Sequence, residues 1–331
     1  MTDELQSWQP GIFGWQGTNA LPIPARYVQS ADIFKPADAG VSYKVTGPDV
    51  APAGEDYTVM LADGGGWHYF HLMESVVWLR ALQATYLADR APRCIVIETD
   101  WDDPRLNGIG RKLLGLLYPG TRLADVRDLW PERMGPMLII DRRWAKMPFN
   151  KVVEAAMRFA GPAVQAMGRQ VRTRLPAFDG QARTGRVLYV TRAGRPRHLE
   201  AGAEARLLAS LARFGPLTCI DFAAVPWEHQ VRLAAAHDVM VSVHGNGLTN
   251  ALWMRPGSLV IELFSPGAHH YDYQFYAELA GLSYAGFDGD RMFRDGERAG
   301  EPYGHGSVND GVVTYLPLAG IEAALAAYFA V

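Results

Sequence analysis

The sequence predicts an α/β protein made of two successive doubly wound units that face a cleft. Three observations predict it. Short apolar runs alternate with longer stretches of helical spacing, the pattern of a parallel sheet covered by helices. The alternation runs to about residue 175, breaks over the polar, Gly-containing stretch 176–185, and then starts again. One apolar run in the second half ends on His244-Gly245-Asn246-Gly247, a glycine-rich turn from strand into helix. The expected division is 1–175 and 176–331, and the closing helix is the one element that could pack back on the N-terminal domain.

In chain order, residues 1–56 are rich in Pro, Gly and short polar residues and read as strands and loops. Residues 57–62 (YTVMLA) read as a strand broken by Asp63-Gly64-Gly65-Gly66, and 67–87 as a long amphipathic helix. A strand over 93–98, a helix over 106–118 and strands over 121–126 and 136–140 complete the first alternation. Residues 149–175 are helical in pattern, with Gly161-Pro162 expected to interrupt them. The second alternation gives strands over 186–191, 217–221, 239–243 and 258–263. Helices are expected over 200–214, 227–236, 248–253 and 271–281, and an Ala-rich helix over 321–329 closes the chain. Two Rossmann-like units follow. In such sheets ligands bind outside the carboxyl ends of the strands, which places Gly64 to His71, Arg192 and His244 to Gly247 around one crevice.

The chain has 331 residues, 49% of them hydrophobic, enough for two cores. Lys and Arg number 32 against 35 Asp and Glu, a net charge of −3 with no basic block, which disfavours a nucleic-acid partner. The two cysteines, Cys94 and Cys219, lie in apolar strand-like runs, are expected as buried thiols, and offer neither a disulfide framework nor a metal spacing. Residues 1–10 lack the pattern of a signal peptide, and no apolar run reaches about 18 residues. A cytoplasmic protein is expected, and peripheral contact with a membrane is compatible with this.

Four constellations carry candidate chemistry. The first is His244-Gly245-Asn246-Gly247-Leu248-Thr249-Asn250 with Glu262 on the next strand. Glycines there let the backbone approach a phosphate, helix-start N–H groups favour an anion, and an acid on the following strand commonly binds ribose hydroxyls. The bland alternative is a tight turn with a buried histidine. The second is Arg192, Arg195 and Arg197 after the 186–191 strand, where guanidinium groups suit a pyrophosphate. A solvated basic loop is the alternative, and Glu204 could orient one of these arginines or lie exposed. The third is Asp63 with His68, His71 and Glu74, the last three at i+3 steps. A metal reading finds no fourth ligand, so no metal is expected. A histidine oriented by a carboxylate suits a general base, and core-facing histidines are the alternative. The fourth, His269 to Tyr273, could line the same ligand path or be surface loop. Trp78, Trp227 and Trp253 read as packing residues. No GxSxG, HExxH, Walker A or CxxC motif is present.

These residues resemble glycosyltransferase family 61, whose bacterial members are often labelled capsular polysaccharide biosynthesis proteins. The resemblance rests on Thr191-Arg192 with Arg195 and Arg197, Glu228-His229-Gln230, the 244–250 turn, Arg255-Pro256-Gly257, Val260-Ile261-Glu262-Leu263, and the segment from Tyr276 to Tyr284. In the N-terminal half it rests on Tyr69-Phe70-His71 with Glu74 alone. Asn246 stands where the family usually has Ala, His68 where it commonly has Asn, and Glu74 three residues after His71 rather than four. The resemblance implies a GT-B fold and inverting, metal-independent transfer from a nucleotide sugar, usually UDP-linked, to a hydroxyl of a saccharide or glycoconjugate. The base is then expected from the N-terminal domain, as His71, Glu74 or Asp63, with no cofactor beyond the donor. Two competing readings remain at this point: a dinucleotide-dependent oxidoreductase and an inactive nucleotide-sugar-binding protein.

Overall fold

The computed structural model describes residues 25–29, 31–34, 42–45, 56–62, 69–97, 108–125, 129, 133–141, 149–175, 185–265, 272–289, 291–294, 312–313 and 316–330. The chain forms two compact units, Met1–Pro148 with Glu154–Ala163, and Phe149–Val153 with Val164–Val331.

The first unit runs β1 (Ala25–Val28), β2 (Ala31–Phe34), β3 (Ser42–Val45), β4 (Thr58–Ala62), α1 (Tyr69–Tyr86), β5 (Cys94–Ile97), α2 (Ile109–Leu117), β6 (Arg122–Asp125), β7 (Arg133–Met134) and β8 (Met137–Asp141). Its main sheet has the order β1-β8-β4-β5-β6. The last four strands are parallel and β1 lies antiparallel on β8. A separate antiparallel sheet joins β3, β2 and β7.

Helix α1 was expected to be amphipathic. It is instead buried on nearly every side, from Tyr69 and Phe70 to Leu82 and Gln83. Its last turn is closed by an Asp89 N–H donating to the Gln83 carbonyl at 3.1 Å, with Ala88 and Asp89 at positive φ. Gln83 itself would be costly inside a core. It is satisfied by donating to the Tyr57 hydroxyl at 2.8 Å and accepting from the Tyr118 hydroxyl at 2.5 Å.

Helix α3 (Phe149–Arg174) contributes residues to both units. Gly161-Pro162 does not interrupt it, since Pro162 lies inside a continuous helix. The second unit continues with β9 (Val187–Val190), α4 (Ala201–Leu211), β10 (Leu217–Ile220), a 3-10 turn at Phe222–Ala224 and α5 (Trp227–Ala236). Then come β11 (Val239–Val243), a 3-10 helix at Asn246–Trp253, β12 (Leu259–Phe264), α6 (Asp272–Leu279), β13 (Ser283–Asp288), β14 (Arg291–Arg294) and α7 (Leu318–Phe329).

The sheet order is β10-β9-β11-β12-β13-β14. Five strands are parallel, and β14 closes the edge antiparallel. In chain order the parallel strands read 2-1-3-4-5, the flavodoxin-like winding, so the sheet reverses direction between β9 and β11. The core is aliphatic: Val187, Val239, Val241, Ile261 and Leu263 from the strands meet Leu207 and Leu211 of α4 and Ile321 and Leu325 of α7. Helix α7 packs on the core of its own unit. Its apolar side is used there, and Glu322 accepts from Ser210 of α4 at 2.6 Å. Cys94 is buried, but Cys219 is exposed, because β10 is an edge strand. Among the described residues no helix is long and apolar enough to cross a membrane.

Candidate functional site

The reversal between β9 and β11 brings two predicted segments together. The loop after β9 carries Arg192, and the turn after β11 carries Gly245. Arg192 is half-buried and held by its own loop. Its Nε donates to the Arg197 carbonyl at 3.0 Å and its Nη2 to the Pro196 carbonyl at 3.0 Å. The guanidinium lies across Gly245, where any Cβ would run into it. Gly245 has φ 160 and ψ 172, extended backbone that any residue adopts. Glycine is required there for the space Arg192 occupies, not for its dihedral freedom. The first N–H groups of the following 3-10 helix, at Asn246 and Gly247, have no acceptor within that helix.

Arg197 sits at φ 59, a left-handed conformation rare outside glycine. Its Nε is buried with no hydrogen-bond partner among the described residues. A buried donor without an acceptor is costly, and left-handed backbone at a non-glycine residue is a strain that clusters at functional sites. Burial lowers the Arg192 pKa and the neighbouring Arg197 charge lowers it further, so the loop concentrates positive charge. Arg195 behaves differently. It pairs with Asp221 at 2.9 Å, exposed to solvent. Among the described residues Glu204 meets no arginine. It accepts from the Tyr189 hydroxyl at 2.8 Å and the Thr191 hydroxyl at 2.6 Å, and Thr191 Oγ1 in turn accepts from the Ala193 N–H at 3.1 Å. Glu204 thereby fixes the start of the arginine loop.

His244 continues the ladder, its N–H donating to the Leu263 carbonyl at 2.8 Å. The imidazole is 6% exposed and lies between the rings of Phe264, stacked at 5.5 Å, and Tyr273 at 5.1 Å. Its Nδ1 is 2.5 Å from Glu262 Oε1, and Glu262 Oε2 accepts from the Tyr284 hydroxyl at 2.7 Å. Glu262 is 0% exposed. The ribose contact expected of it is not among its described bonds: its two oxygens meet His244 and Tyr284. Burial pushes Glu262 up to about 8, against the hydrogen bond from Tyr284 and the Arg197 charge. Burial also drives His244 down to about 3, against Asp272, with Arg197 and Arg192 pushing it the same way.

The rest of the turn is braced from within its own unit. Asn250 Nδ2 donates to Gln230 Oε1 at 3.0 Å and to the Gly247 carbonyl at 3.2 Å, and Gln230 Nε2 donates to the Phe222 carbonyl at 2.7 Å. Thr249 donates to Asn246 Oδ1 at 3.2 Å, while Leu248 is buried. At the far end of the 3-10 helix, Arg172 Nη1 donates to the Met254 carbonyl at 2.8 Å. Trp227 and Trp253 pack edge to face at 6.1 Å.

In the first unit, His71 Nδ1 and Glu74 Oε2 are 2.9 Å apart in the opening turn of α1, with side chains 29% and 11% exposed. The three-residue spacing thus makes the contact that the sequence left in question. Asp63, the three glycines, His68, His269 and His270 lie outside the described residues. Among the described residues no three His, Cys, Asp or Glu side chains cluster as a metal site. Sequence reasoning missed Tyr284, Tyr273 as a cover for His244, and Gln230 as a brace.

The second unit is a doubly wound α/β sheet with the Arg192 guanidinium laid on Gly245 at its reversal point, the place where such sheets take their ligands. The family model for glycosyltransferase 61 matches residues 69–261, more than half the chain. The chain belongs to that family, and the class of activity is glycosyl transfer. No curated protein matches it.

Proposed function

We propose that the protein is an inverting, metal-independent glycosyltransferase. It moves a sugar from a nucleotide donor, UDP-linked, to a hydroxyl of a saccharide or glycoconjugate. The two units would face one another as in a GT-B fold, in the cytoplasm. The observation that carries this reading is the Arg192 guanidinium laid on Gly245 at the β9/β11 reversal, beside the orphaned donor of Arg197. Fixed cations and helix-start N–H groups supply what a leaving diphosphate needs without a bound cation.

In the reaction, the acceptor oxygen forms a bond to the anomeric carbon from the face opposite the nucleotide. The bond from that carbon to the diphosphate oxygen breaks with its electron pair. The acceptor proton passes to His71 Nε2, and Glu74, bonded at Nδ1, stabilises the imidazolium. Asp63 is the other candidate on the acceptor side. Membership of the transferase family disfavours the oxidoreductase reading, and the built His71–Glu74 pair disfavours the inactive one.

The test is thermal unfolding with UDP or NAD in the presence of EDTA. UDP is expected to raise Tm and NAD to leave it unchanged. Stabilisation by NAD alone, or a UDP effect that needs a divalent cation, overturns the reading.

A further inference from the structure

We propose that Tyr284, Glu262 and His244 form a proton-holding relay that keeps His244 Nε2 protonated, so that His244 is a fixed hydrogen-bond donor to the anionic group of the donor and not a base. The inference rests on the donor-binding reading above and deepens it. It assigns Tyr284 as a positioning residue acting through Glu262.

The geometry of the chain of bonds argues for it. Glu262 is enclosed, with no exposure and with His244 Nδ1 at 2.5 Å on one oxygen and the Tyr284 hydroxyl at 2.7 Å on the other. A carboxylate without water is costly to ionise, so a proton on Glu262 is the favoured state. The protonated oxygen donates to Nδ1, and a neutral imidazole that accepts at Nδ1 carries its own proton at Nε2. Were the proton to cross to Nδ1, Nε2 would still carry one. In both arrangements the pair is neutral overall and Nε2 is a donor.

The sheet is built to hold this arrangement. Gly286 lies directly opposite Glu262 in the parallel register. A Cβ on Gly286 would sit 2.6 Å from the Tyr284 hydroxyl and 3.1 Å from the Phe264 ring. The glycine therefore leaves room for the phenol to reach Glu262. It has no positive φ to explain it. The charged and titratable groups acting on His244 are Arg192 and Arg197 from the loop after β9 and Asp272 from α6, with Tyr273 packed on its ring. Those acting on Glu262 are Tyr284 from β13 and Arg197. Both arginines favour an anion beside the relay.

When the relay loses its proton, Nε2 is left bare or a negative charge is left near the arginines. Either weakens an anionic ligand.

The experiment is UDP affinity by calorimetry from pH 6.5 to 9.5 for the wild type, Glu262→Gln, Glu262→Ala, Tyr284→Phe and Arg192→Ala. A Gln side chain copies the protonated acid: its amide donates to Nδ1 and its oxygen accepts from Tyr284. Wild-type affinity is expected to fall about tenfold or more across the alkaline range, the size of one charge-assisted hydrogen bond. Glu262→Ala loses binding at every pH, and Glu262→Gln rescues it and flattens the profile. Tyr284→Phe moves the fall to higher pH, because it removes a bond that favours the carboxylate. Gly286→Ala does the same if it folds, and Tyr284→Phe keeps the question answerable if it does not. A flat wild-type profile, an unmoved fall in Tyr284→Phe, or failure of Gln to rescue overturns the relay. If Arg192→Ala also leaves UDP affinity unchanged, the donor site itself is misassigned. If Arg192→Ala weakens binding while the relay variants behave alike, only the relay fails.

Discussion

Two histidine–carboxylate pairs sit among the described residues, in opposite surroundings. His71 and Glu74 share the first turn of α1, partly open to solvent, with one bond between them. His244 and Glu262 come from adjacent parallel strands, sealed under two aromatic rings and backed by Tyr284. An exposed pair can take and release a proton, because water and ligand stabilise either charge state. A sealed pair holds one proton over a wide pH range, because any net charge must be desolvated. Under the two proposals above, the same two residue types serve as a base in one place and a fixed donor in the other. Burial decides which.

The largest expected effect breaks the comparison at its catalytic side. His71→Ala should lower kcat by roughly 10²–10⁴-fold, the range for loss of a general base, while UDP affinity stays. A steady-state assay and calorimetry on one preparation check this. Should UDP affinity fall together with kcat, His71 belongs to donor binding and the two pairs do not divide the labour.

Next in size is the seat of Arg192. Arg192→Ala should weaken UDP by about 1.5–3 kcal/mol, as expected for charge-assisted hydrogen bonds. Gly245→Ala should cost a similar amount, since a methyl group displaces the guanidinium. The double variant should be little worse than either single one. Additive losses would mean that Gly245 meets the phosphate directly, as the sequence first suggested.

A smaller effect concerns stability alone. Glu262 rises from 4.5 to about 8 on folding and His244 falls from 6.5 to about 3. The raised Glu262 contributes stability that is lost as pH rises towards 8, and the lowered His244 contributes stability that is lost as pH falls towards 3. Above pH 6.5 the folded pair keeps a proton that the unfolded chain has released, so stability falls with rising pH until Glu262 ionises in the fold. Between 4.5 and 6.5 both states hold one proton and the pair contributes no slope. Denaturant unfolding of the wild type against Glu262→Gln checks this, and the variant should lack the alkaline loss.

The parts of this arrangement differ in how far the sequence reveals them. Strands β9, β11 and β12 are apolar runs between turn residues, so they and the 244–250 turn were legible. Arg192 was legible as the residue at a strand end. Strands β13 and β14 were not read. Ser283-Tyr284-Ala285-Gly286 has small residues and a glycine and resembles loop, yet Gly286 is there to admit Tyr284. The partner of Glu262 could not be read either, because register between non-adjacent segments is a tertiary fact. The expected break at Gly161-Pro162 and the expected burial of Cys219 fail for a related reason: local propensity does not tell whether a helix runs on through a proline or which strand lies at an edge.

The smallest expected effect separates two arginines in one loop. Arg195 was grouped with Arg192 and Arg197 because all three follow β9. The fold separates them. Arg195 turns to Asp221 at the end of β10, with its side chain 46% exposed and that of Asp221 30%. Asp221 is also occupied as the cap of the 3-10 turn, accepting from the Ala223 N–H at 2.9 Å. An exposed pair of this kind is worth about 0–1 kcal/mol, and a cation already paired in water gains little from a ligand anion beyond screening distance. Arg195→Ala should therefore change UDP affinity by less than about 0.5 kcal/mol and depend on salt, whereas Arg192→Ala should not recover at high salt. Calorimetry at two ionic strengths distinguishes them. A loss in Arg195→Ala equal to that in Arg192→Ala would show that the loop turns inward when donor binds, and that Asp221 releases Arg195 to it.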